Sequence, residues 1–162
     1  MGITDNPVLI GVLAALATNI LFFDHQFYKE KQRDFIKKQI VELLLPLFHK
    51  MKSIENQRQL QRNFMGYDDA LDEIQYYLTI SENDKYIGEI ATKNLYLAPS
   101  KLSTLILNYI NYQDRNASGA FEHVDKHIVV NNFKELQSEV FKEYEQKVKE
   151  YHTLKLWWQF WK

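Results

Sequence analysis

The chain has 162 residues, with 20 basic and 21 acidic side chains and a formal net charge of −1. This balance argues against nucleic acid as a partner, because no basic field extends over the whole chain. The chain contains no cysteine, which excludes disulfide bonds, thiolate catalysis and thiol-linked lipid anchors. The length fits one domain plus an anchor, and the scarcity of glycine and proline predicts long helices with few turns.

The uncharged apolar segment Val8–Phe23 is the most informative stretch, with an acidic residue close to each end. As a helix it covers about 24 Å, somewhat less than the ~30 Å of hydrocarbon in a bilayer. Flanking residues and local thinning of the bilayer would make up the difference. Its polar residues, Thr18 and Asn19, are adjacent and do not form the polar face of a soluble helix. The sequence predicts one transmembrane helix near residues 7–27, with a buried helix of a soluble bundle as the alternative.

The charge distribution around this segment predicts its orientation. No basic side chain precedes it, whereas a cluster of five follows it: Lys29, Lys31, Arg33, Lys37 and Lys38. The positive-inside rule then places the N-terminus outside the cytoplasmic membrane and the rest of the chain in the cytosol. Phe27 and Tyr28, followed by Lys29, Lys31 and Arg33, are predicted to lie at the membrane interface, with the lipid bilayer as a partner.

The predicted fold is all-α, with the single N-terminal transmembrane helix continuing into a cytosolic helical bundle. The predicted domains are an anchor over residues 1–28, a helical domain over 29–153 and a tryptophan-rich tail over 154–162. A coiled-coil-like seam follows the anchor at spacings of four, three, four and three: Ile40, Leu44, Leu47, Met51 and Ile54. We expect this seam and the polar stretch Glu55–Asn63 to contact another protein or a second copy of the chain.

Pro46 is expected to kink the helix, because it removes the amide bond to residue 42. Four further helices are predicted after the polar stretch. The first is expected to turn Leu71, Ile74 and Leu78 inward, and the last begins at a capping box formed by Asn132 and Glu135. The predicted ranges are Tyr67–Thr79, about Asp84–Leu97, Ser100–Gln113 and 132 to the C-terminus, with Phe121–Val130 ambiguous.

The last residues of the chain form a second apolar pattern. Leu154, Trp157, Trp158 and Trp161 recur at i, i+3, i+4 and i+7, which places them on one face of a helix. Tryptophan favours the membrane–water interface, and neighbouring lysines can extend toward water. We predict that this tail lies on the membrane, with docking onto the core of the bundle as the alternative.

The sequence carries no motif for phosphate binding, serine hydrolysis or zinc proteolysis. His123 and His127 would lie one turn apart on a helix and could share a metal ion, with His152 as a possible third ligand. Two solvated histidines beside a loop are the simpler explanation, so we predict no metal site and no cofactor.

No motif specifies a reaction, and the functional hypothesis follows from topology. The leading hypothesis is a membrane-anchored, non-enzymatic helical interaction module, acting as a scaffold or regulatory subunit. One alternative is a holin-like or toxin-like effector that perturbs the bilayer through its two apolar ends. A second alternative is a metal-dependent enzyme that uses His123 and His127.

Overall fold

The computed structural model describes residues 7–65, 69–117 and 126–159. Within these ranges the backbone is helical apart from short links and contains no strand, so the predicted all-α class is confirmed. The helices are α1 (Pro7–Lys38), a π-helical segment (Gln39–Leu44), α2 (Leu45–Met65), α3 (Asp69–Lys93), a 3-10 turn (Leu95–Leu97), α4 (Ser100–Ala117) and α5 (Lys126–Gln159).

The π-helical segment joins α1 to α2 directly before Pro46. The N–H of Leu45 donates to the carbonyl of Ile40, five residues earlier, as in a π-helix. Pro46 has no N–H to donate to the carbonyl of Glu42, four residues earlier. The side-chain Nδ2 of Asn94 donates to that carbonyl at 2.9 Å. The irregularity predicted at Pro46 therefore lies in the turn that precedes it.

Helix α5 runs antiparallel to the α1–α2 pair and contacts α1, the π-helical segment, α2, α3 and α4. Gln137 Nε2 donates to the carbonyl of Met51 at 3.2 Å, and Gln32 Nε2 donates to Glu150 Oε1 at 3.4 Å. The bundle core lies between these helices. Its fully buried side chains are Leu43, Leu44, Leu47, Met51, Ile54, Tyr76, Ile80, Ile87, Ala91, Leu97, Leu102, Ile106, Tyr109, Val129, Val130, Phe133, Leu136 and Val140.

Helix α3 is continuous where two helices were predicted. The break predicted between Thr79 and Asp84 lies inside the helix. The polar side chains here bond to carbonyls of their own helix, Thr79 Oγ1 to Gln75 at 2.9 Å and Asn83 Nδ2 to Thr79 at 2.6 Å. The prediction was wrong because these residues satisfy their hydrogen bonds within one helix as well as at a boundary.

The inward face predicted for the start of α3 was also wrong. Ile74 and Leu78 are 38% and 45% exposed, and Leu71 is 54% exposed. Tyr76 and Ile80 are buried instead. Tyr76 lies under the guanidinium of Arg58, 4.2 Å from its ring centre, and beside the ring of Phe133 at 6.0 Å. Packing against α2 and α5 therefore buries the face of α3 that carries Tyr76 and Ile80, and the face with Leu71, Ile74 and Leu78 stays exposed.

Helix α5 begins at Lys126, so the predicted start at Asn132 was wrong. Asn132 lies inside the helix and is no cap. Val129 and Val130, in the stretch that sequence left ambiguous, are buried in the core and extend the apolar face of α5 by one turn. Tertiary packing thus continues the helix beyond the local capping pattern. The preceding residues, 118–125, lie outside the described ranges.

No helix in the part of the chain that the structure describes is both long and apolar enough to cross a membrane. The predicted span near residues 7–27 is therefore not supported.

Candidate functional site

The N-terminal half of α1 is the most unusual surface of the molecule. Every side chain described between Gly11 and His25 is exposed, and the first fully buried side chain of α1 is Ile36. Soluble proteins rarely expose contiguous apolar patches larger than a few hundred Å². The large apolar side chains exposed here are Val12, Leu16, Ile20, Leu21, Phe22, Phe23, Phe27 and Tyr28. We call residues 11–28 the apolar arm.

One polar side chain of the apolar arm has its hydrogen-bond partner within the arm. The hydroxyl of Thr18 donates to the carbonyl of Ala14, four residues earlier, at 2.8 Å. This bond gives the Thr18 hydroxyl an acceptor within the helix, which suits an apolar environment. Asn19 remains as an exposed amide beside it.

The predicted interface residues follow the arm directly. Phe27 and Tyr28 are 58% and 66% exposed. Lys31 places its ammonium 4.4 Å from the ring centre of Phe27, a cation–π contact. Arg33 lies 3.8 Å from Glu30 and 3.6 Å from Asp34, so its charge is partly balanced. Lys31, Lys37 and Lys38 are exposed, whereas Lys29 and Arg33 are half-buried.

The end of α5 lies beside α1, at the level of the basic residues within 29–38 that follow the apolar arm, which we call the basic collar. Glu150 contacts Gln32, and α5 continues to Gln159. Trp157 is seven residues beyond Glu150, about 10 Å further along the axis. Since α5 runs antiparallel to α1, the backbone of Trp157 lies near the level of His25. The side chains of Trp157 and Trp158, and all of Trp161, lie outside what the structure describes.

The coiled-coil-like seam lies inside the chain. Leu44, Leu47, Met51 and Ile54 are at most 1% exposed and belong to the bundle core, whereas Ile40 is half-buried. In this structure the seam contacts helices of the same chain, and its fully buried side chains offer no surface to a partner.

Of the histidines considered as metal ligands, the structure describes His127 and His152, which lie near opposite ends of α5. His127 is exposed and places Nδ1 2.5 Å from Glu73 Oε1. His152 is exposed near the other end of α5, and its ring packs against Tyr151. His123 lies outside the described ranges. Among the residues that are described, no group of three histidines or carboxylates is placed to hold a metal ion.

Sequence analysis missed a polar cluster where α2 meets α3. Arg58 and Arg62 both bind Asp72, with Nη2–Oδ2 distances of 2.7 Å and 2.6 Å. The hydrogen bond from Arg62 holds the pKa of Asp72 well below its usual range, and Arg58 adds to the effect. Two arginines one turn apart, followed by an acidic residue early in the next helix, are the signal that could have predicted this cluster.

Comparison with known proteins returned no family model, no curated protein and no solved structure that matches this chain.

Proposed function

We propose that this protein is a membrane-tethered helical interaction module and that the apolar arm of α1 is its tether. The observation that supports the tether is the exposure of every described side chain from Gly11 to His25. Eight large apolar side chains of this arm remain in contact with solvent, as given above. An arm of this composition is stabilised by an apolar surface that covers it, and we propose that the bilayer supplies this surface.

A bilayer suits this arm better than water on energetic grounds. The exposed apolar area is on the order of several hundred Å², and burial contributes about 25 cal/mol per Å². Insertion would therefore stabilise the protein by on the order of 10 kcal/mol before the cost of ordering. The paired hydroxyl of Thr18 lowers the cost of insertion, since it carries its own acceptor.

The proposed orientation has the N-terminus outside the cytoplasmic membrane and the bundle in the cytosol. The basic collar that follows the arm supports it, with Lys31, Lys37 and Lys38 exposed and able to contact anionic headgroups. Tyr28 and Phe27 lie between the arm and these lysines, where aromatic side chains favour the interface.

The interaction part of the proposal is supported at the other end of the bundle. Leu60 and Phe64 are four residues apart on α2 and are 57% and 86% exposed. Apolar side chains at this spacing are typical anchors for a partner helix. We propose that this pair contributes to the contact with another protein or a second copy.

Membrane retention tests the tether. The full chain is expected to stay with the membrane fraction after alkaline carbonate extraction. Leu16→Lys with Ile20→Lys should release it, because two charges would enter the apolar arm. Phe64→Lys is the matched control, since it changes an exposed apolar residue outside the arm and should leave retention unchanged. Extraction of the unsubstituted chain as a soluble species would contradict the proposal.

Orientation can be tested cleanly because the chain has no cysteine. A membrane-impermeant maleimide added to intact cells should label Thr4→Cys and leave Ser53→Cys unlabelled until the cells are opened. Ser53 is exposed on α2, so its protection would come from the membrane and not from the fold. Labelling of Ser53→Cys in intact cells would contradict the proposed orientation.

A photo-crosslinking amino acid tests the interaction part. Placed at Phe64 in membranes of the native host, it should give a discrete protein adduct. The same group at Lys52, an exposed polar position on the same helix, should give none. Equal adducts at both positions, or none at Phe64, would contradict a specific contact there.

A further inference from the structure

A polar cleft of about 220 Å³ opens between α2, α3 and α5, away from the apolar arm. Its lining comes from three helices and contains three basic and two acidic side chains, with one tyrosine and one valine. These residues are Arg58, Arg62, Asp72, Glu73, Tyr76, Val130 and Lys134. The cleft therefore carries a positive balance in a chain whose net charge is −1.

The two carboxylates of the cleft contact basic side chains of the same chain. Asp72 accepts hydrogen bonds from both arginines, through Nε and Nη2 of Arg58 and of Arg62. Glu73 contacts the ring of His127 at 2.5 Å. Each carboxylate thus has a partner within the chain.

Several donors are not used by described residues. An arginine has five N–H donors in a planar fork, and the bonds from Arg58 to Asp72 leave its Nη1 unused. Lys134 is exposed and makes no ion pair with another described residue. The cleft therefore has unused hydrogen-bond donors, as sites that bind anions do.

Tyr76 provides an independent observation. It is 1% exposed, and its buried hydroxyl oxygen makes no hydrogen bond with any residue that the structure describes. A buried polar group without a partner costs about 1–3 kcal/mol, so such a group calls for an explanation. Burial raises the pKa of Tyr76 to about 12, which keeps its hydroxyl protonated and able to donate.

We propose that this cleft binds a small oxyanion of the phosphate type. The bound group accepts from Nη1 of Arg58 and from the hydroxyl of Tyr76, and the ammonium of Lys134 balances its charge. The position of Arg58 is fixed for this role, because its guanidinium rests on the ring of Tyr76 at 4.2 Å and is paired with Asp72 at 2.7 Å. A planar guanidinium held in this way matches phosphate geometry without further ordering.

The location of the cleft favours a soluble source for the phosphate group. Arg58 is thirty residues beyond Tyr28, about 45 Å along the helical path at 1.5 Å per residue. If Tyr28 lies at the membrane surface, as the proposed function requires, lipid headgroups of that membrane do not reach the cleft. Only this choice of source rests on the proposed function, whereas the binding site itself does not.

Binding can be measured on the full chain in zwitterionic detergent micelles. The chain has four arginines, so the Nε–H signals of a ¹⁵N-labelled sample are few and can be assigned. Titration with inorganic phosphate should shift the Arg58 signal to saturation, whereas sodium chloride at matched ionic strength should not. Short-chain phosphatidic acid serves as the lipid arm and should bind no more tightly than phosphate; tighter binding would contradict the soluble source.

Two variants connect the binding to the proposed donors. Tyr76→Phe removes the hydroxyl, keeps the ring under Arg58, and should weaken phosphate binding by about tenfold. Lys134→Gln should weaken it comparably. Lys149→Gln, on the exposed side of the same helix α5, is the control and should bind normally. The proposal is overturned if no saturable shift occurs, or if Tyr76→Phe and Lys134→Gln both bind phosphate as tightly as the unsubstituted chain.

Discussion

Asn94 donates its side-chain amide to the backbone carbonyl of Glu42 at 2.9 Å, across the junction of α3 with the π-helical segment. The same Nδ2 lies 3.1 Å from the carbonyl of Ile90 in the last turn of α3. Pro46 has no N–H for the Glu42 carbonyl, and Asn94 supplies the missing donor from another part of the chain. The contact explains how a long helix accommodates proline in its interior and why Asn94 is only 8% exposed.

Replacing Asn94 by alanine should lower the free energy of unfolding by about 1–3 kcal/mol, because the carbonyl of Glu42 loses its buried donor. Urea denaturation in micelles measures the change. Pro46→Ala offers the carbonyl a backbone N–H, so Asn94→Ala should cost less in that background. Equal costs in both backgrounds would show that the two residues are not coupled.

Phe133 and Phe64 give a matched pair with the same side chain and opposite burial. Phe133 is fully buried, with the rings of Tyr76 and Tyr109 at 6.0 Å and 6.2 Å, whereas Phe64 is 86% exposed. Phe133→Ala should destabilise the bundle by about 3–5 kcal/mol, since it leaves a cavity. Phe64→Ala should change the free energy of unfolding by less than about 0.5 kcal/mol. Similar losses for the two variants would contradict the described core.

The ion pairs predict a loss of stability in acid. Hydrogen bonds from Arg62 and Arg58 lower the pKa of Asp72, and a hydrogen bond from Lys101 lowers that of Glu139. A carboxylate whose pKa is lower in the folded state stabilises the fold above its unfolded pKa of about 4. This contribution is lost as the pH falls toward the folded pKa. The free energy of unfolding should therefore decrease steadily from about pH 5 downward.

Asp72→Asn separates this effect from general acid unfolding. The variant should be less stable at pH 7 by about 2 kcal/mol, because two partly buried guanidiniums lose their shared carboxylate. Its stability should also depend less on pH below 5 than that of the unsubstituted chain. Glu150→Gln, which removes a carboxylate outside this cluster, is the comparison variant. An identical slope for Asp72→Asn would contradict the role of this cluster.

Periodicity predicted those parts of the fold in which one face is plainly apolar. Ser100–Gln113 was predicted as a helix, and α4 spans Ser100–Ala117 with Leu102, Ile106 and Tyr109 buried in the core. Periodicity failed where two faces compete. In α3 the face with Leu71, Ile74 and Leu78 and the face with Tyr76 and Ile80 both have helical spacing. The contacts of Tyr76 with Arg58 and Phe133 distinguish the face that is buried.

The candidate sites also differ in how far the sequence could predict them. The apolar arm could be predicted from Val8–Phe23 because it is a property of one continuous segment. The oxyanion cleft could not, because it requires α2, α3 and α5 to meet, and sequence spacing does not specify that meeting. The seam was identified as apolar, but its pattern could not distinguish contacts within the chain from contacts with a partner. Contacts between residues far apart in the sequence determine whether the cleft forms and what the seam packs against.

The last prediction concerns the level of the tail relative to the apolar arm. Glu150 contacts Gln32 at 3.4 Å, and α5 continues antiparallel to α1 as far as Gln159. Trp157 therefore lies near the level of His25, about one turn from Tyr28. If the arm enters the bilayer, the tail meets the same interface and forms a second contact at high effective concentration.

The tail can be observed directly because all three tryptophans of the chain, Trp157, Trp158 and Trp161, belong to it. In vesicles, lipids brominated near the headgroup should quench the tryptophan emission strongly, and lipids brominated at the chain ends should quench it less. Unquenched, blue-shifted emission would instead place the tail on the bundle. Replacing the three tryptophans by alanine should leave helix content and membrane retention unchanged if the arm is the principal tether, as proposed. If the triple variant unfolds, the tail belongs to the core and its interfacial role is excluded.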